Sequence, residues 1–147
     1  MIKPKPLKKF DKVAIISLSS GMLGEKYCSH QIKIGVKRLK EMNLEPIFMK
    51  NTLKGIEYLK CNPNKRAEDL KDAFLNEEIK CIICAIGGND GYKVLPYLME
   101  DEEFIKIVKN NPKIFIGFSD STVHHLMFYK IGIQSFYGIS FLNDIAE

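Results

Sequence analysis

The sequence has 147 residues, a formal charge of +4, 46% apolar residues and 27% charged residues. These are ordinary globular proportions, which exclude collagen, coiled coil and a disordered chain, and a domain of this size buries roughly 68–70% of its unfolded surface. The longest uninterrupted apolar stretch, Cys81–Ile86, is six residues, against the roughly 20 that a bilayer span needs.

Lys3, Lys5, Lys8, Lys9 and Lys12 crowd the start of the chain and predict a basic, mobile N-terminal arm. No later segment interleaves basic and aromatic residues as a nucleic-acid surface would. The apolar run Val13–Leu18 is shorter than the roughly 7–15 residues of a signal-peptide core and has no small-x-small cleavage site behind it. A cytoplasmic chain is expected. Four cysteines, at 28, 61, 81 and 84, are too few and too scattered for a disulfide framework.

Val13–Ser17 is a β-branched run that predicts the first strand, broken by Ser19-Ser20-Gly21. Ile32, Val36 and Leu39 recur at i, i+4 and i+7, predicting a helix from about Cys28 to Met42 that Asn43 closes. Glu45–Met49 reads as a second strand, whereas Leu53–Asn62 has no clear period. Asn62-Pro63-Asn64 is a helix start, and Ala67, Leu70 and Phe74 share a face over Lys65–Leu75. A buried strand, Lys80–Ile86, ends at Gly87-Gly88-Asn89-Asp90-Gly91. A short helix or turn at Tyr92–Leu98 and a helix at Glu102–Lys109 follow. After Asn111-Pro112 come a strand at Lys113–Gly117, a helix at Ser121–Lys130 and a last strand at Ile133–Tyr137. Alternation of near-continuous apolar strands with helices predicts an α/β fold, a parallel sheet covered on both faces.

Ligands of such sheets sit beyond the carboxyl ends of the strands, where Ser19-Ser20-Gly21, the glycine run and Gly117-Phe118-Ser119-Asp120-Ser121-Thr122 all fall. A strand, a tight turn with serine at its apex and an immediate helix make a nucleophile elbow. The Asp120 amide beside Ser119 and the helix N-terminus would then stabilise an oxyanion. Helix capping by the same serines and aspartate is the competing reading, because GFSDS is not G-x-S-x-G. The Gly-Gly turn is open to three readings: a phosphate cradle, an oxyanion donor, or a turn with no ligand. Cys81 and Cys84 lie three apart on a strand and so face opposite sides, which predicts core thiols rather than a metal or redox pair. His124 and His125 ride the helix after Ser119 and project sideways from it, so neither is a good base for the serine, and His30 is no better supported. The residues therefore offer a nucleophile and two oxyanion donors without a base.

At these same positions KRAEDLKDAF (65–74), CAIGGNDGYKVLPYL (84–98), NPKIFIGFSDSTVHHL (111–126) and SFYG (135–138) resemble the serine carboxypeptidases that include muramoyl-tetrapeptide LD-carboxypeptidases and microcin C self-immunity peptidases. The resemblance runs from about Lys5 to the end of the chain and implies an open, mainly parallel sheet with helices on both faces, of the flavodoxin or class I amidotransferase kind. It implies Ser119 as nucleophile, the Asp120 and Gly88 amides as oxyanion hole, Gly87 and Asn89 as substrate-binding residues, and no metal or cofactor. The Glu and His of the family's triad come from a C-terminal domain, so residues 1–147 would be the nucleophile-bearing N-terminal domain, inactive alone. Implied partners are that second domain and a peptide substrate: a muropeptide with an L,D bond first, a peptidyl-nucleotide second. Members are often dimers, so a second copy is a further candidate; nucleic acid and membrane are not. Leu18, Phe10 and Ile139 stand where the family usually has Pro, Gly and Pro. The rival function is a non-catalytic α/β domain holding an anion at the Gly-Gly turn.

Overall fold

A computed structural model describes residues 1–147. Five strands, β1 (Lys12–Ile16), β2 (Glu45–Phe48), β3 (Ile79–Cys84), β4 (Ile114–Gly117) and β5 (Phe136–Tyr137), form one sheet in the order β2-β1-β3-β4-β5. Every pairing is parallel, so the sheet is wholly rather than mainly parallel. This is the doubly wound order whose direction reverses between β1 and β3, and the ends of those two strands flank the crevice where such sheets bind ligands.

The strands sort their side chains by alternation. Val13, Ile15, Cys81 and Ile83 face one layer, in which Leu39 of α1 (Ser29–Glu41) packs with Phe141 and Ile145. Ala14, Ile16, Ile82, Cys84 and Phe115 face the larger layer. There they meet Leu70 and Phe74 of α3 (Pro63–Leu75), Leu98 of α4 (Leu95–Met99), Phe104 of α5 (Glu102–Asn110) and Phe128 of α6 (Thr122–Ile131). The two cysteines of the C-x-x-C thus lie in different cores, and burial pushes each thiol up to about 12. Helix ends follow local chemistry. Asn43, at φ 61°, closes α1 in the left-handed region, and Gly132, at φ 101°, does the same after α6. Pro63 opens α3, and Asp101 caps α5 by accepting from the Phe104 amide at 3.1 Å.

Three expectations need correction. The N-terminal arm is not loose: the Ile2 amide donates to Gly132 O at 2.7 Å, and Ile2 O accepts from Gln134 at 2.8 Å, so Ile2 bridges Ile133. Only Phe136–Tyr137 of the last predicted strand pairs with β4; Ile133 pairs with the arm instead. The aperiodic stretch holds a helix, α2 (Ile56–Cys61), that buries little beyond Leu59, too small an apolar face to leave a repeat. A π-helical turn at Phe141–Ile145 was also unforeseen; its Phe141 ring packs where Gly35 of α1 leaves room, since a Cβ there would collide with the ring.

Candidate active site

The turns after β1, β3 and β4 meet at one end of the sheet. Ser119 sits between β4 and α6 at φ 61°, a left-handed conformation that costs a non-glycine residue about 1–2 kcal/mol. Tyr137 and Thr122 hold it there: the Ser119 amide donates to Tyr137 Oη at 2.9 Å, and the Thr122 hydroxyl donates to Ser119 O at 2.5 Å. The Thr122 hydroxyl also lies 3.4 Å from Tyr137 Oη, and this contact, followed by the Ser119 amide, draws the Tyr137 phenol below its ordinary range. The capping alternative does not describe this turn: α6 begins without a side-chain cap, and the exposed Ser119 hydroxyl has no protein partner.

The glycine run packs against this turn. A Cβ on Gly87 would lie 3.7 Å from both Asp120 N and Ser119 Cβ, and one on Gly88 would meet Ser19 Oγ and lie 3.0 Å from Ser20 N. The Gly87 distances are ordinary van der Waals contacts, whereas at Gly88 a side chain would force Ser19 and Ser20 aside. Ser20 N donates to Gly87 O at 3.1 Å, while the exposed Gly88 amide has no protein acceptor. Asn89 and Asp90 line a cleft of about 260 Å³ together with Ser19, Ser20 and Lys60 of α2. The unforeseen helix α2 therefore forms one wall of the cleft.

Two side chains tie these turns together, and neither was singled out for that work. One Asp120 carboxylate oxygen accepts from the Ser19 hydroxyl and from the Gly91 amide, the latter at 2.8 Å, linking the turns after β1, β3 and β4. Arg66, fully buried on α3, donates to Leu18 O at 3.1 Å, Ser19 O at 3.2 Å and Asp90 Oδ1 at 3.0 Å. Their partners are distant in sequence, so no local signal marks them; a charged residue on the apolar face that begins at Ala67 was the one hint for Arg66.

Both nearby histidines are committed to the scaffold. His124 Nε2 bonds Gly91 O at 2.9 Å, and burial pushes this imidazole down to about 4, so it stays neutral with Nε2 as the donor. His125 Nε2 donates to Gly117 O at 2.8 Å, which leaves its Nδ1 to accept from Ser135 Oγ at 2.6 Å. Burial lowers its pKa as well. Neither ring is paired with Ser119. No group of three or more His, Cys, Asp or Glu side chains is arranged to hold a metal, and no helix is long and apolar enough to cross a membrane.

Residues 13–138 match the model of the LD-carboxypeptidase N-terminal domain. The chain belongs to this family. It is 30% identical, over its whole length, to a putative carboxypeptidase of Vibrio cholerae, of which it spans 42%. A probable murein peptide carboxypeptidase of Bacillus subtilis is 28% identical over 98% of the chain, and again the chain spans 42% of the relative. Among solved structures, an MccF-like protein of Streptococcus pneumoniae in complex with AMP superposes with a TM-score of 0.90. It is 49% identical over 94% of this chain, which covers 40% of it. The chain thus spans well under half the length of the relatives it matches.

Proposed function

We propose that this domain carries the nucleophile of a serine carboxypeptidase. The exposed Ser119 hydroxyl, on a residue held at φ 61° against the Gly-Gly turn, is the observation that carries the reading. Ser119 Oγ attacks the carbonyl carbon of an amide near a peptide C-terminus while its proton passes to a histidine. The oxyanion is received by the Asp120 and Gly88 amides. Collapse expels the amine, which takes the proton from the imidazolium, and leaves an acyl ester on Ser119 that water then hydrolyses. Gly87 and Asn89 line the approach. The family's Glu and His belong to a second domain outside residues 1–147. Without them the serine remains a weak nucleophile at its free pKa, so residues 1–147 are inactive alone.

Two substrate classes fit an amide-cleaving serine. The murein peptide carboxypeptidase relative supports an L,D-muropeptide. The higher identity to an MccF-like protein in complex with AMP favours a peptidyl-nucleotide, reversing the order that the sequence suggested. Fluorophosphonate labelling of the domain joined to its second half tests the nucleophile. Label should be lost in Ser119→Ala, and equal labelling of variant and parent overturns the assignment. Residues 1–147 should release neither D-alanine from a muropeptide tetrapeptide nor nucleotide from a peptidyl-nucleotide above a Ser119→Ala blank. Serine-dependent turnover would place a base within this chain.

A further inference from the structure

At the end of the sheet opposite the serine turn, the starts of β1, β3 and β4 frame a second cavity of about 380 Å³, within the range of roughly 300–1,000 Å³ typical of small-ligand sites. Lys3, Lys5 and Lys8 of the N-terminal arm, Lys80 of β3 and Lys113 just before β4 converge on it, with Asp11 as its one carboxylate. Five lysines against one aspartate leave +4, which equals the formal charge of the whole chain. The remainder of the protein is balanced; the excess charge is collected in this one place.

Three of the five ammonium groups, those of Lys3, Lys5 and Lys8, have no protein acceptor, and those of Lys80 and Lys113 meet only backbone carbonyls. None appears in an ion pair. Lys80 donates to Glu77 O at 2.7 Å, and Lys113 to Ala73 O at 2.8 Å and to Asn76 O. Asp11 accepts instead from the Lys8 amide at 2.8 Å. Lys113 is 3% exposed, and its burial, followed by the charge of Lys80, pushes it down to about 8. The fold itself gathers these like charges, because the Ile2–Ile133 bridge anchors the arm that carries three of them.

We infer that this cavity is a binding site for a multivalent phosphate anion, an oligophosphate of the pyrophosphate or tripolyphosphate kind, held by Lys3, Lys5, Lys8, Lys80 and Lys113. Ammonium groups are compact point charges with rotating donors, suited to the divergent oxygens of a phosphate chain. The lining has no aromatic side chain on which a nucleobase could stack, and its only apolar side chains are the rings of Pro6 and Pro112, too little to receive an acyl tail. An anion between Lys80 and Lys113 offsets their mutual repulsion. The strands separate this cavity from the Ser119 turn by about 17 Å, five residues at ~3.3 Å each, so the site is independent of the peptidase reading.

Titration calorimetry of the 147-residue chain with tripolyphosphate at low salt is the test. Lys5→Gln/Lys80→Gln changes two exposed side chains of the cavity, and Lys33→Gln/Lys40→Gln removes the same charge from α1. The parent should bind saturably, the cavity variant on the order of tenfold more weakly, which is ~1.4 kcal/mol, and the α1 variant within about twofold of the parent. No saturable binding, or equal weakening in both variants, overturns the site. ATP should bind no tighter than tripolyphosphate; tighter binding would mean that the base is recognised and overturn the oligophosphate assignment. Sedimentation with anionic phosphatidylglycerol vesicles, without a response to tripolyphosphate, would assign the lysines to a lipid surface and overturn it too.

Discussion

Replacing Arg66 by methionine removes a guanidinium while keeping the length of the side chain. The parent side chain is 0% exposed, and its partner Asp90 is 18% exposed. The loss is therefore a carboxylate left without its cation and two carbonyls, of Leu18 and Ser19, left without a donor. Breaking one side of a buried ion pair costs about 3–5 kcal/mol; the partial exposure of Asp90 puts the expected value near the low end, at about 3 kcal/mol. With a urea slope of about 2 kcal/mol/M, the unfolding midpoint should fall by about 1.5 M when followed by circular dichroism. Adding Asp90→Asn to Arg66→Met removes the stranded charge, so the double variant should be more stable than the sum of the two single losses predicts. A midpoint shift below about 0.5 M, or strictly additive losses, would refute the view that this pair braces the turns after β1 and β3.

Four further outcomes follow from the same geometry. Gly88→Ala should lose about 1–3 kcal/mol in thermal melts because its Cβ meets Ser19 Oγ, whereas Gly138→Ala, with nothing within 4 Å, should be close to neutral; equal losses would remove the steric reason. Phe10 is 75% exposed and sits at φ 70°, so Phe10→Gly should gain about 1 kcal/mol, or ~3 °C in Tm, and a lower Tm would count against backbone strain there. With the thiol reagent DTNB, the exposed Cys61 should react at once and the buried Cys28, Cys81 and Cys84 only on unfolding; two fast thiols would contradict the packing. Asp69 is raised by burial to about 6, so its contribution is fully present below about pH 4 and is lost as pH rises through 6; His124, lowered to about 4, contributes above about pH 6.5 and loses that as pH falls through 4. Across the shared window the two oppose each other, so Asp69→Asn should steepen the loss of stability toward acid and His124→Gln should reverse its slope, as read from urea midpoints at several pH values. Parallel profiles would disprove the pairing.

The sequence carried what repeats locally. The continuous apolar runs of β1 and β3 came from burial on both faces and the helical recurrence of Ile32, Val36 and Leu39 from burial on one, and the structure keeps those elements with ends moved by a few residues. The serine and glycine turns were legible as breaks at strand ends, where helix capping and a turn with no ligand stood beside the catalytic reading until the geometry of Ser119 was seen. What stayed hidden depends on contacts across long stretches of chain. Ile2 meets Ile133, Arg66 reaches Leu18 and Ser19, and the Asp120 carboxylate reaches Ser19 and Gly91. Asp120 illustrates the limit well: its position next to Ser119 suggested a role for its amide, while its side chain was already engaged in holding two other turns. Phe10 is the converse case, a departure from the family's usual glycine that the sequence showed plainly and that acquires a physical meaning only with its φ.

The bridge between Ile2 and Ile133 also bears on how the protein is made. Its two residues are 131 positions apart, so the arm has nothing to pair with until Ile133 has left the ribosome, while β1, β2 and α1 can associate much earlier in vectorial synthesis. Lys3, Lys5 and Lys8 consequently travel as solvated charges on a free tail for most of that time and are brought beside Lys80 and Lys113 in a closing step. The basic cavity is thus among the last features of this domain to assemble, and its charge is concentrated only after β1, β2 and α1 have come together.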